Sequence, residues 1–238
     1  MRRTDSLLGQ LTHRKRRTCG TAENLSQRQP TRTTMKTFRL LAWAGLALAG
    51  AANAQSTNKA ELESVQRAVH VCAACHGDFG RSTKSFVPSL AGQMREYTIR
   101  QLKDFRNQSR AETDVQAYMW GISALLTDET IEGLADYYAA QKPAPGKSTQ
   151  PKLEAAGRKI YENGSPSQGV LPCKQCHGDA AEGAAGFPRL AGLSAKYVYS
   201  QLQAFRTPLR PHGVLMKNET RALSEAQLKA VSAYVQSR

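Results

Sequence analysis

The sequence contains the stretch Cys72-Ala-Ala-Cys75-His76-Gly77-Asp78, and the same pattern returns 101 residues later as Cys173-Lys-Gln-Cys176-His177-Gly178-Asp179. Two copies of one seven-residue pattern in the same chain predict an internal repeat. These two stretches carry four of the five cysteines of the chain. The chemistry of these thiols therefore decides how each copy of the repeat is stabilised.

The repeat continues beyond the cysteines, with matching segments in the same order. The matching segments are 88–92 with 188–192, 97–106 with 197–206, and 119–137 with 216–234. The offset is 100 residues for the first two pairs and 97 for the last, so the length differences fall between segments, where loops absorb them. The sequence therefore predicts two tandem domains, over 55–141 and 153–238, and a Pro- and Gly-rich linker over 142–152.

Apolar residues in both domains recur with helical spacing. Tyr97, Leu102 and Phe105 lie on one face of a predicted helix over about 94–107, and their counterparts 100 residues later repeat the pattern. The other predicted helices occupy about 59–72, about 153–162, and the segments that follow the suitable N-cap residues Thr127 and Ser224. No segment alternates as a half-buried strand does. The predicted fold class is all-α, with about three to four helices in each domain.

Two cysteines three residues apart, followed at once by a histidine, form the attachment signature of c-type haem. Each thiol can form a thioether bond with one vinyl group of the haem, and the next residue can direct its imidazole at the iron. The sequence therefore predicts two covalently bound haem c groups. The residues expected to hold them are Cys72, Cys75 and His76 in the first domain, and Cys173, Cys176 and His177 in the second.

Three other uses of the cysteines account for the pattern less well. A disulfide does not require a histidine after each pair. A structural zinc site brings a second Cys or His pair nearby, whereas the two pairs here are 101 residues apart. A thioredoxin-like redox motif belongs to a βαβ context, which the helical pattern does not provide.

The sixth iron ligand is predicted from the repeat. A methionine thioether opposite the histidine leaves the iron six-coordinate and raises its reduction potential. Met119 and Met216 occupy equivalent positions in the two domains, so we expect them to be the distal ligands. Met94 aligns with Ser194 and is not expected to bind iron. His212 is the alternative in the second domain and has no counterpart in the first.

Pro88 and Pro188 follow the two motif histidines by 12 and 11 residues. A metal-bound histidine usually donates its other ring N–H to a backbone carbonyl or a carboxylate. A carbonyl in the loop at each proline is a candidate acceptor. A simple loop corner is the alternative interpretation of these prolines.

The first 54 residues are predicted to be absent from the mature protein. Residues 35–54 begin with a basic segment, continue with an apolar run and end in small residues, which is typical of a secretory signal peptide. An uncleaved membrane anchor is the alternative for this segment. Residues 1–34 form an Arg-rich prelude that contains Cys19, and either the true start is Met35 or the leader is long. We expect a mature chain that begins at Gln55 in the periplasm.

The formal charge of the whole chain is +14, from 33 Lys and Arg against 19 Asp and Glu. Ten of these basic residues and two of the acidic ones precede residue 55, so the mature chain has a formal charge of +6. We therefore expect no nucleic-acid partner. The remaining excess offers local patches for docking redox proteins or an anionic membrane surface.

With these motifs, the chain resembles the cytochrome c₄ family of tandem di-haem c-type cytochromes. The resemblance covers about 57–238 and rests on two Cys-x-x-Cys-His-Gly motifs, each followed by Pro-x-Leu-Ala-Gly, a Tyr…Gln-Leu…Phe helix, a Met loop and a final helix with Tyr. It implies two cytochrome c domains related by pseudo-twofold symmetry, with haem propionates near their interface. It also implies His–Met ligation of both irons and histidine hydrogen bonds to the carbonyls of Pro88 and Pro188.

The resemblance implies a periplasmic electron carrier, often loosely attached to the inner membrane. An iron with both axial positions filled by protein can only exchange electrons, so we expect an electron-transfer protein and not an enzyme. The expected partners are an upstream quinol-oxidising complex or dehydrogenase and a downstream terminal oxidase. A cytochrome subunit of a periplasmic dehydrogenase complex is the alternative. A di-haem peroxidase fits less well, because both repeats carry the equivalent methionine.

Overall fold

Each repeat is built from short α-helices whose ends follow local signals in the sequence. The computed structural model describes residues 59–111 and 116–238. The expectations that lie outside these residues concern the basic prelude 1–34, the signal peptide 35–54, Cys19 and the mature start at Gln55.

The described helices follow the order of the repeat. Those of the first repeat are α1 over 59–76, α2 over Arg95–Arg106, α3 over Gln116–Ser123 and α4 over Asp128–Ala139. Those of the second repeat are α5 over Pro151–Asn163, α6 over Lys174–His177, α7 over Ala195–Ala204, α8 over Val214–Arg221 and α9 over Glu225–Gln236. Two 3₁₀ turns occupy Asp78–Gly80 and Pro166–Gln168.

The prediction of an all-α fold is confirmed. Within 59–111 and 116–238, β pairing is limited to two isolated bridges, Ser165 with Val170 and Ala184 with Phe187. None of the helices in these ranges is long and apolar enough to cross a bilayer.

The two predicted N-caps are present. Thr127 Oγ1 accepts a hydrogen bond from the N–H of Thr130 at 3.2 Å at the start of α4. Ser224 Oγ accepts from the N–H of Gln227 at 3.3 Å, and Gln227 Oε1 accepts from the N–H of Ser224 at 2.7 Å. This reciprocal pair is a capping box, which satisfies two N–H groups that α9 leaves without helical partners.

The two repeats approach their cysteine motifs differently. The first predicted helix extends beyond 59–72, because α1 continues through the motif to residue 76. In the second repeat α5 ends at Asn163, where Gly164 adopts a φ of 70° that leaves the helix. A loop over 164–172 then leads to the separate helix α6.

The start of α5 lies inside the predicted linker. Pro151 is the first residue of this helix, where its fixed φ suits a helical turn and its missing N–H costs nothing. The carboxylate of Glu154 accepts hydrogen bonds at 2.8 Å from the N–H groups of Thr149 and Gln150 and so anchors the preceding residues. The last two residues of the segment 142–152 are therefore helical.

The last helix of each repeat is buried between its neighbours. Helix α9 packs against α5 and α7, and α4 packs against α2. The buried apolar residues of the first repeat include Phe105, Ile131, Leu134, Ala135 and Tyr138. Those of the second repeat form a larger cluster that includes Tyr161, Leu193, Tyr197, Leu202, Leu228, Tyr234 and Val235.

The two repeats touch through reciprocal polar contacts. Arg110 Nη2 donates to Tyr197 Oη at 3.2 Å and to Gln201 Oε1 at 3.0 Å. Arg210 Nη2 makes the exchanged contacts with the first repeat, Tyr97 Oη at 3.3 Å and Gln101 Oε1 at 2.8 Å. Such an exchange of equivalent residues is what a pseudo-twofold relation between the repeats produces.

Candidate haem-binding sites

The first cysteine motif lies on the last turns of α1. Cys72 and Cys75 are three residues apart on a helix, so their side chains lie on the same side of it. His76 is the final residue of the helix and is 9% exposed. Its Nδ1 lies 2.8 Å from the carbonyl oxygen of Pro88. Because a carbonyl can only accept, Nδ1 carries the proton and Nε2 keeps its lone pair for a metal.

The second motif repeats this arrangement on a different local backbone. His177 ends the short helix α6, is 5% exposed, and places Nδ1 at 2.9 Å from the carbonyl oxygen of Pro188. Burial lowers the pKa of His177, because the charged imidazolium loses its hydration. The neutral ring is the form that binds a metal. We call the His76–Pro88 and His177–Pro188 hydrogen bonds the first and second proximal relay.

The glycine after each histidine is required by the turn that leaves the motif. Gly77 has a φ of 76° and Gly178 a φ of 84°, both in the left-handed region. A Cβ at Gly77 would also collide with the carbonyl of Arg81. The chain can therefore turn directly from the motif into the loop that ends at each proline.

The surroundings of the motif thiols suit a neutral sulfur. All four cysteines of the described ranges are free, so the disulfide alternative is wrong in this structure. Burial raises the pKa of Cys72, and it raises the pKa of Cys173 to about 11. Such an environment disfavours a charged thiolate and suits an uncharged sulfur such as that of a thioether.

The donor set does not match a zinc site. Among residues 59–111 and 116–238, no three His, Cys, Asp or Glu side chains come together as a metal cluster. Each repeat instead offers two sulfurs and one imidazole that forms the proximal relay through Nδ1 and not through Nε2. This set fits a covalently bound haem.

The two predicted distal methionines lie at matching places. Met119 is on α3 and Met216 on α8, and both side chains are half-buried. One turn later, the hydroxyls of Ser123 and Thr220 donate to the carbonyls of Met119 and Met216, respectively. The local backbone around the two methionines is therefore equivalent, although the side chains around it differ.

The other two candidates lie elsewhere. Met94 is the N-cap residue of α2, where its carbonyl accepts from Thr98 Oγ1 at 3.2 Å. His212 is exposed, and its Nδ1 lies 2.8 Å from Asp104 Oδ1 of the first repeat. This contact directs His212 toward the other repeat.

The sequence patterns did not identify the arginines at the interface between the repeats. Arg110 is 4% exposed and Arg210 is 7% exposed. Each stacks on the phenylalanine of its own repeat, at 4.5 Å from the Phe105 ring centre and 4.0 Å from that of Phe205. One sequence feature could have identified them. Arg110 and Arg210 are 100 residues apart, as are the two tyrosines and the two glutamines that they contact.

The comparisons with known proteins agree with this geometry. The sequence model of the cytochrome c family matches residues 62–142 and 154–238. The chain is 38% identical over 205 residues to a cytochrome c-552 from Acidithiobacillus ferridurans, covering 85% of this chain and 87% of the relative. It is 40% identical over 172 residues to a cytochrome c4 from Thiocapsa roseopersicina, covering 70% of this chain and 86% of the relative. A thiosulfate dehydrogenase electron acceptor from Stutzerimonas stutzeri is 36% identical over 175 residues, covering 70% of this chain and 78% of the relative.

A solved structure shows the same architecture. The cytochrome c4 of Acidithiobacillus ferrooxidans superposes with a TM-score of 0.66 at 36% identity, covering 70% of this chain and 98% of that chain. The two family matches coincide with the two repeats, and each repeat carries one complete attachment motif. The chain belongs to the cytochrome c₄ family of the cytochromes c, electron-transfer proteins and not enzymes, and it carries two covalently bound haem c groups.

Proposed function

We propose that the chain is a periplasmic respiratory electron carrier whose two irons are ligated by His76 with Met119 and by His177 with Met216. The observation that carries this proposal is the duplicated proximal relay. Both histidines are buried, and both donate Nδ1–H to a proline carbonyl. The equivalent helical positions of the two methionines support the distal half of each site.

The residues of each site have separable roles. The proximal relay holds the imidazole in one tautomer and orientation, which keeps Nε2 available for the iron. Burial of the histidine excludes water and disfavours its protonation. The methionine thioether is a neutral, soft donor that favours the reduced metal. When bound, each haem supplies one-electron exchange between Fe(III) and Fe(II).

The distribution of charge supports transfer between two different partners. Residues 59–141 contain 9 Lys and Arg against 11 Asp and Glu, whereas residues 153–238 contain 11 against 6. The first repeat is therefore slightly acidic and the second basic. Charge of opposite sign steers different partners to the two repeats and favours transient docking. We assign a quinol-oxidising complex as the upstream partner and a terminal oxidase as the downstream partner.

A second candidate function follows from one relative. The similar protein from Stutzerimonas stutzeri is a thiosulfate dehydrogenase electron acceptor. The chain would then receive electrons from a periplasmic dehydrogenase, with the same haem sites and a different donor. The two functions are distinguished by the donor that reduces the purified protein. Reduction by a purified quinol-oxidising complex would support the first function. Reduction by thiosulfate dehydrogenase alone would support the second.

The ligation is tested with methionine variants of the holoprotein. We expect an intact mass with two haems, and a weak red-edge absorption band of Met–iron ligation in the oxidised state. Met119→Ala and Met216→Ala should each remove about half of this band and lower one reduction potential. Met94→Leu is the matched control and should leave the band and both potentials unchanged. Fewer than two haems, or an unchanged band in either alanine variant, would contradict the proposal.

A further inference from the structure

The side-chain amide of Gln93, in the first repeat, pairs with the backbone of Arg189 in the second. Gln93 Nε2 donates to the carbonyl of Arg189 at 3.0 Å, and Gln93 Oε1 accepts from the N–H of Arg189 at 2.8 Å. Oε1 also accepts from the N–H of Met94 at 2.9 Å. Since two N–H groups face one end of the amide and a carbonyl faces the other, its orientation is determined by its partners. Gln93 is 7% exposed, so these bonds are shielded from water.

This contact adds one member to the second proximal relay. The N–H of Arg189 belongs to the peptide group whose carbonyl is that of Pro188. That carbonyl accepts Nδ1–H of His177 at 2.9 Å. Hydrogen bonds in such a chain polarise one another and strengthen each other by about 10–30% per bond. Donation to Gln93 therefore makes the Pro188 carbonyl a stronger acceptor for His177.

Within residues 59–111 and 116–238, the first proximal relay has no matching bond from the second repeat. Leu193 occupies the position that matches Gln93, 100 residues later, and Ser89 the position that matches Arg189. Leu193 has no polar side-chain atom, is 7% exposed, and packs in the hydrophobic cluster of the second repeat. The two relays are thus unequal although their histidine–proline distances are nearly the same.

We propose that Gln93 is a positioning residue that lowers the reduction potential of the second haem through the second proximal relay. The proposal rests on the His–Met ligation of the proposed function. A stronger bond from Nδ1–H increases electron donation by the imidazole of His177, and this stabilises Fe(III) more than Fe(II). Because Leu193 cannot do the same for the first haem, Gln93 sets part of the difference between the two potentials.

The test uses the di-haem protein with Gln93→Met, which keeps the length of the side chain, and Gln93→Leu, which copies the residue at the matching position. Spectroelectrochemical titration measures both potentials, and Met216→His identifies the wave of the second haem by displacing it. We expect the Gln93 variants to raise the potential of the second haem and leave that of the first unchanged. In proton NMR of the reduced protein, the Nδ1–H signal of His177 should move upfield, while that of His76 stays.

Two further variants separate tuning from loosening of the interface. Gln93→Glu keeps an oxygen acceptor for Arg189 N–H and should return the second potential to the wild-type value or below it. Arg100→Gln removes a different contact between the repeats, from Arg100 Nη2 to the carbonyl of Gly186 at 2.6 Å, and touches neither relay. It should leave the spacing of the two potentials unchanged.

The outcomes separate the two proposals. Loss of a haem or of the Met–iron band in the wild-type protein would contradict the proposed function. With those features intact, the Gln93 proposal is overturned if the potentials of Gln93→Met and Gln93→Leu do not move, or if both haems move equally. It is also overturned if Arg100→Gln reproduces the shift. Thermal melts of each variant establish that the measured protein is folded.

Discussion

In each repeat the first helix crosses the last helix at a glycine, but the glycine lies on the last helix in the first repeat and on the first helix in the second repeat. In the second repeat, Gly157 of α5 lies so close to the carbonyl of Ala230 on α9 that no Cβ fits. In the first repeat the glycine is Gly133, on the last helix α4, and it faces the side chain of Val65 on α1. The crossing thus requires one small residue, and either helix can supply it.

The two crossings differ in how tightly they close. Helices α5 and α9 approach each other backbone to backbone at Gly157. The ring of Tyr161 packs against that of Tyr234 with centroids 5.2 Å apart. Between α1 and α4, an open groove is lined by residues that include Leu62 and Tyr137. Leu62 is 59% exposed. In the described part of the chain, the first repeat therefore has fewer buried apolar residues than the second. We expect it to depend more on its haem, as small domains with modest cores depend on an added link.

The largest effect is expected from removing one haem at a time. Replacing Cys72 and Cys75 by Ser, or Cys173 and Cys176 by Ser, should reduce the haem content by one per chain. Loss of the first pair should also unfold more of its helix, because an open groove separates α1 from α4 whereas α5 packs closely against α9. Pyridine haemochrome spectra measure the haem, and far-UV circular dichroism with amide hydrogen exchange measures the helix. Equal loss of protection in α1 and α5 would contradict the stated difference between the repeats.

The second prediction compares the two glycines. Gly157→Ala places a methyl group against a backbone carbonyl that cannot move aside, so we expect a loss of about 2–3 kcal/mol in the free energy of unfolding. Gly133→Ala meets only the Val65 side chain, and alanine stabilises a helix interior by about 0.5–1 kcal/mol over glycine. We expect that variant to lose about 1 kcal/mol or less.

Denaturant unfolding of the holoproteins measures both glycine variants. Val65→Ala provides the matched control, because it should relieve Gly133→Ala when the two are combined. It should leave the cost of Gly157→Ala unchanged. Relief of both glycine variants by Val65→Ala would show that the two crossings are not independent.

The third prediction compares two buried tyrosines near the cysteine motifs. Tyr161 Oη donates to the carbonyl of Gly178 at 2.7 Å, so Tyr161→Phe leaves that carbonyl unpaired and should cost about 1 kcal/mol. The hydroxyl of Tyr138 is buried, and its polar neighbour is the thiol of Cys72. Because a thiol is only a weak hydrogen-bond partner, Tyr138→Phe should cost less than Tyr161→Phe. Thermal unfolding of the two variants side by side checks the difference, and equal losses would rule out this account.

The smallest effect concerns the charged starts of α4 and α9. Lys103 Nζ and Arg106 Nη2 donate to the Asp128 carboxylate at 2.8 and 2.6 Å and lower its pKa. Folding therefore favours the ionised form, and this stability is present above about pH 4 and lost as the pH falls through the folded pKa. Asp128→Asn should be slightly less stable than wild type at pH 7, and the difference should disappear as the pH falls through the folded pKa of Asp128. A difference that persists at acid pH would show a cause other than this carboxylate.

Glu225 occupies the position in the second repeat that matches Asp128, and its effect is expected at alkaline pH and not at acidic pH. Glu225 accepts from the hydroxyl of Tyr199 and raises the pKa of that phenol. Glu225→Gln should therefore move the titration of Tyr199 to lower pH, as followed by phenolate absorbance. An unchanged titration would show that Glu225 does not hold the Tyr199 hydroxyl in solution.

Much of the fold was predictable because it depends on residues close in the sequence. The stripe of Tyr97, Leu102 and Phe105 placed α2 within one residue of its ends. Thr127 and Ser224 were identified as N-caps because a side-chain oxygen needs only the N–H groups of the next turn. The end of α5 at Asn163 agrees with the helix predicted over about 153–162. The separate helix α6 was not predicted, because four residues are too few to show a helical period.

The haem sites likewise combine features that were predictable from nearby residues with contacts that were not. The attachment residues follow from spacing alone, because two thioether bonds and one axial ligand must come from adjacent turns of chain. The proline carbonyls were candidates from the loop length, and the structure contains both hydrogen bonds. The contact of Gln93 with Arg189 was not predictable, because these residues are 96 positions apart and meet only when the repeats pack.

The sequence by itself determined that the chain is a tandem repeat of helical units and that each unit carries thiols and an imidazole for one haem. Local hydrogen bonds and side-chain spacing are sufficient for those features. The tertiary structure alone decided that Arg110 and Arg210 exchange partners and that Gln93 contacts the second relay. Those contacts depend on which faces of the two repeats are buried together, and no local pattern of residues encodes that choice.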